Sequence, residues 1–271
     1  MLKIFLLSAV LTLAYALTDD EIAAFETSGV TELNTGTVGF VEIVSHGSSH
    51  TITSNGVPDH DTPDYPNQHN PNDITVQDFS FTFPTNAAFA DETTELPLGP
   101  IGLAINGVPL FNPYTITGED AVETETFDSC DGHPDPRGSY HYHKMPSTCV
   151  FTVTEGVPSS IVGVARDGFP IYGPIDEDGT RLTSADLDEC HGKMSSGGEY
   201  RYHTTDDFPY ILGCFRGTVS LGNGGGGPPD GGPPDGPPDS TTVIPPGSGG
   251  QNIEFTLLLL MFSLFSILWI S

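Results

Sequence analysis

The sequence predicts an all-β fold, β-rich with long ordered loops and little helix. It reads as a single domain built from two pseudo-twofold-related repeats and held by disulfides. Three observations predict it. The first is a duplication. The block Gly102-Leu-Ala-Ile-Asn-Gly-Val-Pro-Leu-Phe-Asn-Pro113 is matched by Gly163-Val-Ala-Arg-Asp-Gly-Phe-Pro-Ile-Tyr-Gly-Pro174. Phe127-Asp-Ser-Cys-Asp-Gly132 is matched by Leu187-Asp-Glu-Cys-His-Gly192, and Tyr140-His-Tyr-His143 by Tyr200-Arg-Tyr-His203. The displacement is 61 residues in the first block and 60 in the other two. A period of that length marks two copies of one supersecondary unit. The second observation is period-two patterning with turn dipeptides between the apolar runs. The third is an even set of four cysteines, placed at matched positions of the copies.

Residues 1–16 read as a secretory signal peptide. Lys3 precedes an apolar run over 4–13, and Ala14-Tyr15-Ala16 supplies small residues for cleavage. The run is too short to cross a bilayer, which takes ~20 apolar residues. The folded body is then 17–221, with an N-terminal β region over 17–99 and repeats over about 100–149 and 161–214. A short helix is predicted over 19–26, capped by Thr18. Strands are predicted over 38–44 and 74–83, the latter alternating through Phe79, Phe81 and Phe83. A long polar loop over 59–72 separates them.

Each copy then opens with a tight hairpin. Asn106-Gly107 and Asp167-Gly168 favour a two-residue turn with positive φ at both positions. Pro109 and Pro170 lack an amide, so the returning strand should be short or at an edge. A further strand is predicted over 150–154, and a short turn over 184–189 with Ser184 as N-cap. Asp176-Glu-Asp-Gly-Thr180 resembles half a calcium loop, but Leu187 stands where the loop needs Glu, so a plain turn is the better reading.

Cys130 and Cys149 flank the first Tyr-His segment, and Cys190 and Cys214 flank the second. If the copies fold alike, each closes its own loop, giving Cys130–Cys149 and Cys190–Cys214. Residues 222–250 are Gly, Pro and Asp repeats with almost no apolar side chains, a stalk unable to form a core. Residues 251–271 end in an apolar run with no basic residue after it. Small residues, polar spacer and apolar tail form the pattern of a GPI-attachment signal, with Ser240 as the attachment residue. The expected setting is the outer face of a cell membrane.

The net charge is −28, and no Lys or Arg occurs between the signal peptide and Arg137. That excludes nucleic acid as a partner, since phosphate binding needs a basic face, and excludes a polybasic membrane contact. No Asn-x-Ser/Thr sequon is present.

Strand alternation puts Tyr140 and Tyr142 on one face and His141 and His143 on the other. Two His at i and i+2 have roots about 7 Å apart and can converge on one metal. His133, His191, His203 and His60 are the further candidates. Clustered His with carboxylates suits Zn2+ or Cu2+; Ca2+ fits less well. The competing reading gives the same His and Tyr a hydrogen-bonding role in a wet core. Arg201 stands where His141 stood, which favours one asymmetric site dominated by the first copy. No Gly-x-Ser-x-Gly elbow is present.

The strings Asp128-Ser-Cys-Asp-Gly-His133, Gly138-Ser-Tyr-His-Tyr-His143, Asp167-Gly-Phe-Pro-Ile-Tyr-Gly-Pro174 and Leu187-Asp-Glu-Cys-His-Gly192 resemble the YHYH-domain family of secreted proteins. Phe208-Pro-Tyr-Ile-Leu-Gly-Cys214 and Pro58-Asp-His60 fit as well, so the resemblance spans about 55–217. It implies a domain type and no reaction. The sequence therefore reads as a cell-surface binding module with one His-centred metal site and an unidentified extracellular ligand, rather than an enzyme. A structural or adhesive coat protein without metal is the alternative, and a secreted metal-dependent hydrolase is third.

Overall fold

The computed structural model describes residues 14–146 and 149–219. Residues 1–13 of the predicted signal peptide, the predicted stalk, Ser240 and the apolar tail lie outside the described residues. Fourteen strands and little helix make up the rest. The first is β1 (Ala14–Tyr15), followed by α1 (Asp19–Ala23). Thr18 caps α1 in a capping box with Glu21, and the first turn is acidic, as the helix dipole favours.

β2 (Val41–His46), β3 (Ser49–Ser54) and β4 (Phe79–Pro84) form an antiparallel three-stranded sheet. β4 buries Phe79, Phe81 and Phe83 and exposes the residues between them, so its alternation is that of a half-buried strand. β2 starts three residues later than the sequence suggested. Val38 instead makes an isolated bridge to Thr31. The stretch before Phe79 is loop, because the Gln77 amide turns back to the Asn55 carbonyl at 2.9 Å rather than entering the ladder.

β5 (Ala87–Thr94) pairs with β1 and with β14 (Phe215–Gly217). The principal sheet has eight strands. These are β6 (Pro100–Ala104), β7 (Pro109–Phe111), β8 (Gly132–Pro134), β9 (Tyr140–Tyr142), β10 (Ile161–Ala165), β11 (Pro170–Tyr172), β12 (Gly192–Met194) and β13 (Tyr200–His203). Their order is β12-β13-β11-β10-β6-β7-β9-β8, so β6 and β10 meet at the centre and the two Tyr-His strands lie in opposite arms. The first arm also carries the short helix α2 (Ala121–Thr124), capped by Asp120.

The hairpin turns differ from the expected two-residue type. Each is a three-residue loop in which only glycine has positive φ, 84° at Gly107 and 90° at Gly168. The Gly107 amide reaches the Ala104 carbonyl at 2.8 Å, and the Ala104 amide reaches Val108 at 2.9 Å. This is a turn followed by a glycine bulge. The extra residue leaves its own ladder because its amide is taken elsewhere. Ile105 donates to Val162 and Arg166 donates to Ile101, both at 2.9 Å across the central strand pair. Pro109 and Pro170 lie inside the sheet, and the strands they begin are short rather than edges. Residues 150–154 form no named strand. The turn at 184–189 is a 3-10 helix (Ser184–Asp186) capped by Thr183, because Asp186 accepts from the Thr183 amide and hydroxyl. Asp176 to Thr180 closes as a plain turn.

The central pair sets a firm test of packing. A Cβ on Gly163 would stand 2.4 Å from the Leu103 carbonyl oxygen, and one on Gly102 would stand 2.4 Å from that of Val164. Both neighbours are backbone in a fully buried ladder. Gly163→Ala is expected to cost about 1–3 kcal/mol by overpacking, read as a lower urea midpoint with an unchanged slope.

The core joins these sheets through Ile101, Leu103, Val162, Val164, Phe169 and the fully buried Tyr140, Tyr142 and Tyr202. Cys130 pairs with Cys149 and Cys190 with Cys214, closing separations of 19 and 24 residues. Among the described residues no helix is long and apolar enough to cross a membrane.

Candidate metal centre

The β8–β9 hairpin builds the site. Its turn is closed by Gly138, at φ 78°, whose amide meets the Asp135 carbonyl at 2.9 Å. Asp135 Oδ1 accepts from the Arg137 and Ser139 amides at 2.8 and 2.9 Å, which fixes the register. That register sets His133 directly opposite His141. Cross-strand partners share a face, and His143, just past the end of β9, brings its Nε2 to 3.0 Å from that of His141. The intervening tyrosines face the other way. Tyr140 donates to Asp128 at 2.7 Å, and its ring lies so close to Gly132 that a Cβ there would be 2.5 Å from it.

Each imidazole is held by its inner nitrogen. His133 Nδ1 meets the Thr126 carbonyl at 2.9 Å, His141 Nδ1 that of Ser139 at 3.0 Å, and His143 Nδ1 that of Asn112 at 2.7 Å. A carbonyl oxygen can only accept, so each Nδ1 carries the proton. In a neutral ring the Nε2 then presents a lone pair. These Nε2 atoms point at one another, 3.1 Å from His133 to His141 and 3.0 Å from His141 to His143. Glu125, just after α2, adds Oε2 at 3.1 Å from His133 Nε2 and 3.5 Å from His143 Nε2. The four ligand atoms all lie within 4.8 Å of one another.

The four distances of 3.0–3.5 Å between neighbours in this ring are those of adjacent ligand atoms around one ion. Bonds near 2.0–2.1 Å put ligand atoms roughly 3.3 Å apart. The walls are aromatic. Phe111 stacks on His141 with centroids 3.9 Å apart, and Phe127 lies 4.6 Å from His133. All three histidines are buried and Glu125 is partly exposed. Burial pushes His141 well below the usual imidazole range, reinforced by His143 and His133. Burial takes His143 down to about 4, against the pull of the Asn112 carbonyl and of Glu125. The hydrogen bond from His133 holds Glu125 below the usual carboxylate value, with burial opposing it. A single proton between His133 and Glu125 would satisfy that pair. It would still leave His141 and His143 facing lone pair to lone pair.

A family model described as YHYH protein matches residues 80–182, which takes in β6, β7, α2, the whole β8–β9 hairpin and its four converging side chains. Residues 80–182 match the YHYH domain. No curated protein and no solved structure matches it.

The remaining candidate histidines, His60, His191 and His203, lie outside the matched residues and elsewhere in the fold. The strand order sets His203, one of the further candidates, apart from His141 and His143. β13 is five inter-strand steps from β9, roughly 24 Å at ~4.8 Å per step. His203 Nδ1 instead meets the Gly173 carbonyl at 2.9 Å. His191 lies between Ser184, Thr205 and the Ile211 carbonyl. His60 is on the tyrosine face, with Nε2 2.6 Å from the Tyr142 hydroxyl. It also lies near both Cys130 and Cys149, but those sulfurs are joined and offer no thiolate. Glu125 is the site residue that the sequence reading missed. It has a visible signal, because its counterpart at a displacement of 60 is Ala185.

Proposed function

We propose that this chain is a cell-surface binding module whose YHYH domain holds one transition-metal ion in a shell of His133, His141, His143 and Glu125. One observation carries the reading: three imidazoles, each committed through Nδ1–H to a carbonyl, aim their Nε2 lone pairs at one point beside a carboxylate. In a buried site such an arrangement repels itself unless a cation stands among the lone pairs. Three nitrogens and one oxygen, without sulfur, suit Zn2+ or Cu2+ better than Ca2+. Four protein donors fill a tetrahedron and leave no open position, the pattern of a structural rather than catalytic ion.

Zn2+ titrated by calorimetry into chelator-treated protein is expected to bind at one equivalent and raise Tm. No heat and no Tm shift would contradict the reading. Acid should reverse both effects. His141 and His143 have folded values below the ordinary 6.5, so below that pH the unfolded chain binds more protons than the folded one. Stability is then fully present above pH 6.5 and falls as pH drops toward about 4. The slope approaches about 1.4 kcal/mol per unit for each such group. Urea midpoints measured from pH 8 to pH 4 check the sign.

Membrane attachment rests on the pattern of residues 251–271 with a stalk before it. Phospholipase treatment of cells is expected to release the protein into the medium. Retention after a verified digestion would favour a different anchor.

A further inference from the structure

We propose that Lys193 and Arg201 stand in the second arm of the sheet where the first arm holds its ion. The domain therefore takes one metal rather than two, and the ion serves to brace a hairpin. This rests on the metal reading of His133, His141, His143 and Glu125.

The two arms compare position by position. Lys193 faces Arg201 across β12–β13 as His133 faces His141 across β8–β9. His203 Nδ1 meets the Gly173 carbonyl at 2.9 Å as His143 Nδ1 meets that of Asn112 at 2.7 Å. Phe111 stacks on His141 at 3.9 Å, and Tyr172, at the matching place in β11, carries the Arg201 guanidinium at 4.6 Å. His203 Nε2 is buried without a hydrogen-bond partner, and Lys193 and Arg201 both act on it electrostatically.

Charge follows the same substitution. Lys193 Nζ pairs with Asp176, and Arg201 Nη2 lies 2.6 Å from Glu177. Two protein cations are met by two carboxylates. In the first arm the matching turn holds Thr115 and Ile116, and Ile116 is 89 % exposed. Neither of those two positions carries a carboxylate; the turn's Glu119 accepts from the Thr117 hydroxyl at 2.9 Å, and Glu125, just after α2, faces the histidines instead. A divalent ion facing one carboxylate in the first arm would correspond to two fixed cations facing two carboxylates in the second.

The consequence for role is direct. The ion pairs Lys193–Asp176 and Arg201–Glu177 tie the β12–β13 hairpin to the segment after β11. An ion held by Glu125 and the three histidines would tie the β8–β9 hairpin to the segment after α2. A tie that side chains can replace is a brace.

The test is Co2+ alone, titrated into full-length protein and read by visible absorption and bound metal per chain. Wild type is expected to bind one equivalent. Lys193→His with Arg201→His leaves His203, Asp176 and Glu177 in place and is expected to bind two. The same pair in a His141→Ala background is expected to bind one. A folded double variant that stays at one equivalent overturns this inference and leaves the first site standing. A wild type that binds none overturns the first site and this inference with it. Hydrogen exchange on the wild type decides the matter if the double variant does not fold. Chelator should cut protection of β8–β9 by more than about tenfold and leave β12–β13 unchanged. Equal loss in both hairpins would overturn the inference.

Discussion

His141→Ala is expected to abolish stoichiometric metal binding and to make the protein's Tm indifferent to chelator. His141 is the middle of the three rings, within 3.1 Å of both others. Its removal leaves two nitrogens and one carboxylate, too few to close a tetrahedron. Structural Zn2+ sites contribute ~10–16 kcal/mol of apparent binding free energy at neutral pH, so losing one ligand should cost several kcal/mol of the metal-dependent stability. A buried histidine with a purely packing role would also destabilise when truncated. It would not erase the difference between Tm with and without chelator. Melting wild type and variant under both conditions separates the two roles. A wild-type Tm that ignores chelator would leave the packing role.

Asp167→Ala should be the most damaging change away from that site. Asp167 is fully buried and accepts from the Tyr202 hydroxyl at 2.6 Å, the Gly217 amide at 2.9 Å and the Phe169 amide at 3.3 Å. It ties the β10–β11 turn to β14 and to the Tyr-His strand β13. Alanine leaves three buried donors without their acceptor. The expected loss is about 3–5 kcal/mol, a large share of a typical domain's stability. Asp167→Asn keeps an acceptor for Tyr202 and should cost less than about 2 kcal/mol. Burial raises the carboxyl above its ordinary value, so its contribution is fully present below pH 3.8 and is lost as pH rises through the folded value. The asparagine variant should lack that dependence. Equal losses for alanine and asparagine in urea titrations would mean that the hydrogen bonds are not the cause.

Much of this was written in local pattern. Alternation in Phe79, Phe81 and Phe83 predicts a strand because a pleated sheet buries every second side chain. The two disulfide pairs agree with the matched positions in the sequence, where each pair of cysteines flanks its own Tyr-His segment. The histidine face of β9 follows from the same alternation. Other features depended on packing between elements. The hairpin loops gained a third residue because the amides of Ile105 and Arg166 are used across the central strand pair, which no window of one copy reveals. His203 looked like a partner for His143 because the copies match, but a duplication says nothing about which strands meet at the centre. β6 and β10 do, and that sends the Tyr-His strands to opposite arms.

Glu125 shows how the site could have been read more fully. Glu125, His133 and His141 become Ala185, Lys193 and Arg201 in the second copy, while His143 keeps its counterpart in His203. Fold-bearing positions such as Tyr140 and Tyr142 are unchanged between copies. Three of the four converging residues differ between the two blocks, whereas the core tyrosines do not. His60 fails the same comparison from the other side. It lies before both copies, and its Nε2 serves the hydroxyl of Tyr142.

Metal content of protein purified from its native source without chelator tests the central claim most directly. Elemental analysis is expected to find about one transition-metal ion per chain, lost on dialysis at pH 4 and absent from His141→Ala prepared in parallel. A folded, disulfide-intact wild type with no bound transition metal, and none taken up from added Zn2+, would contradict it.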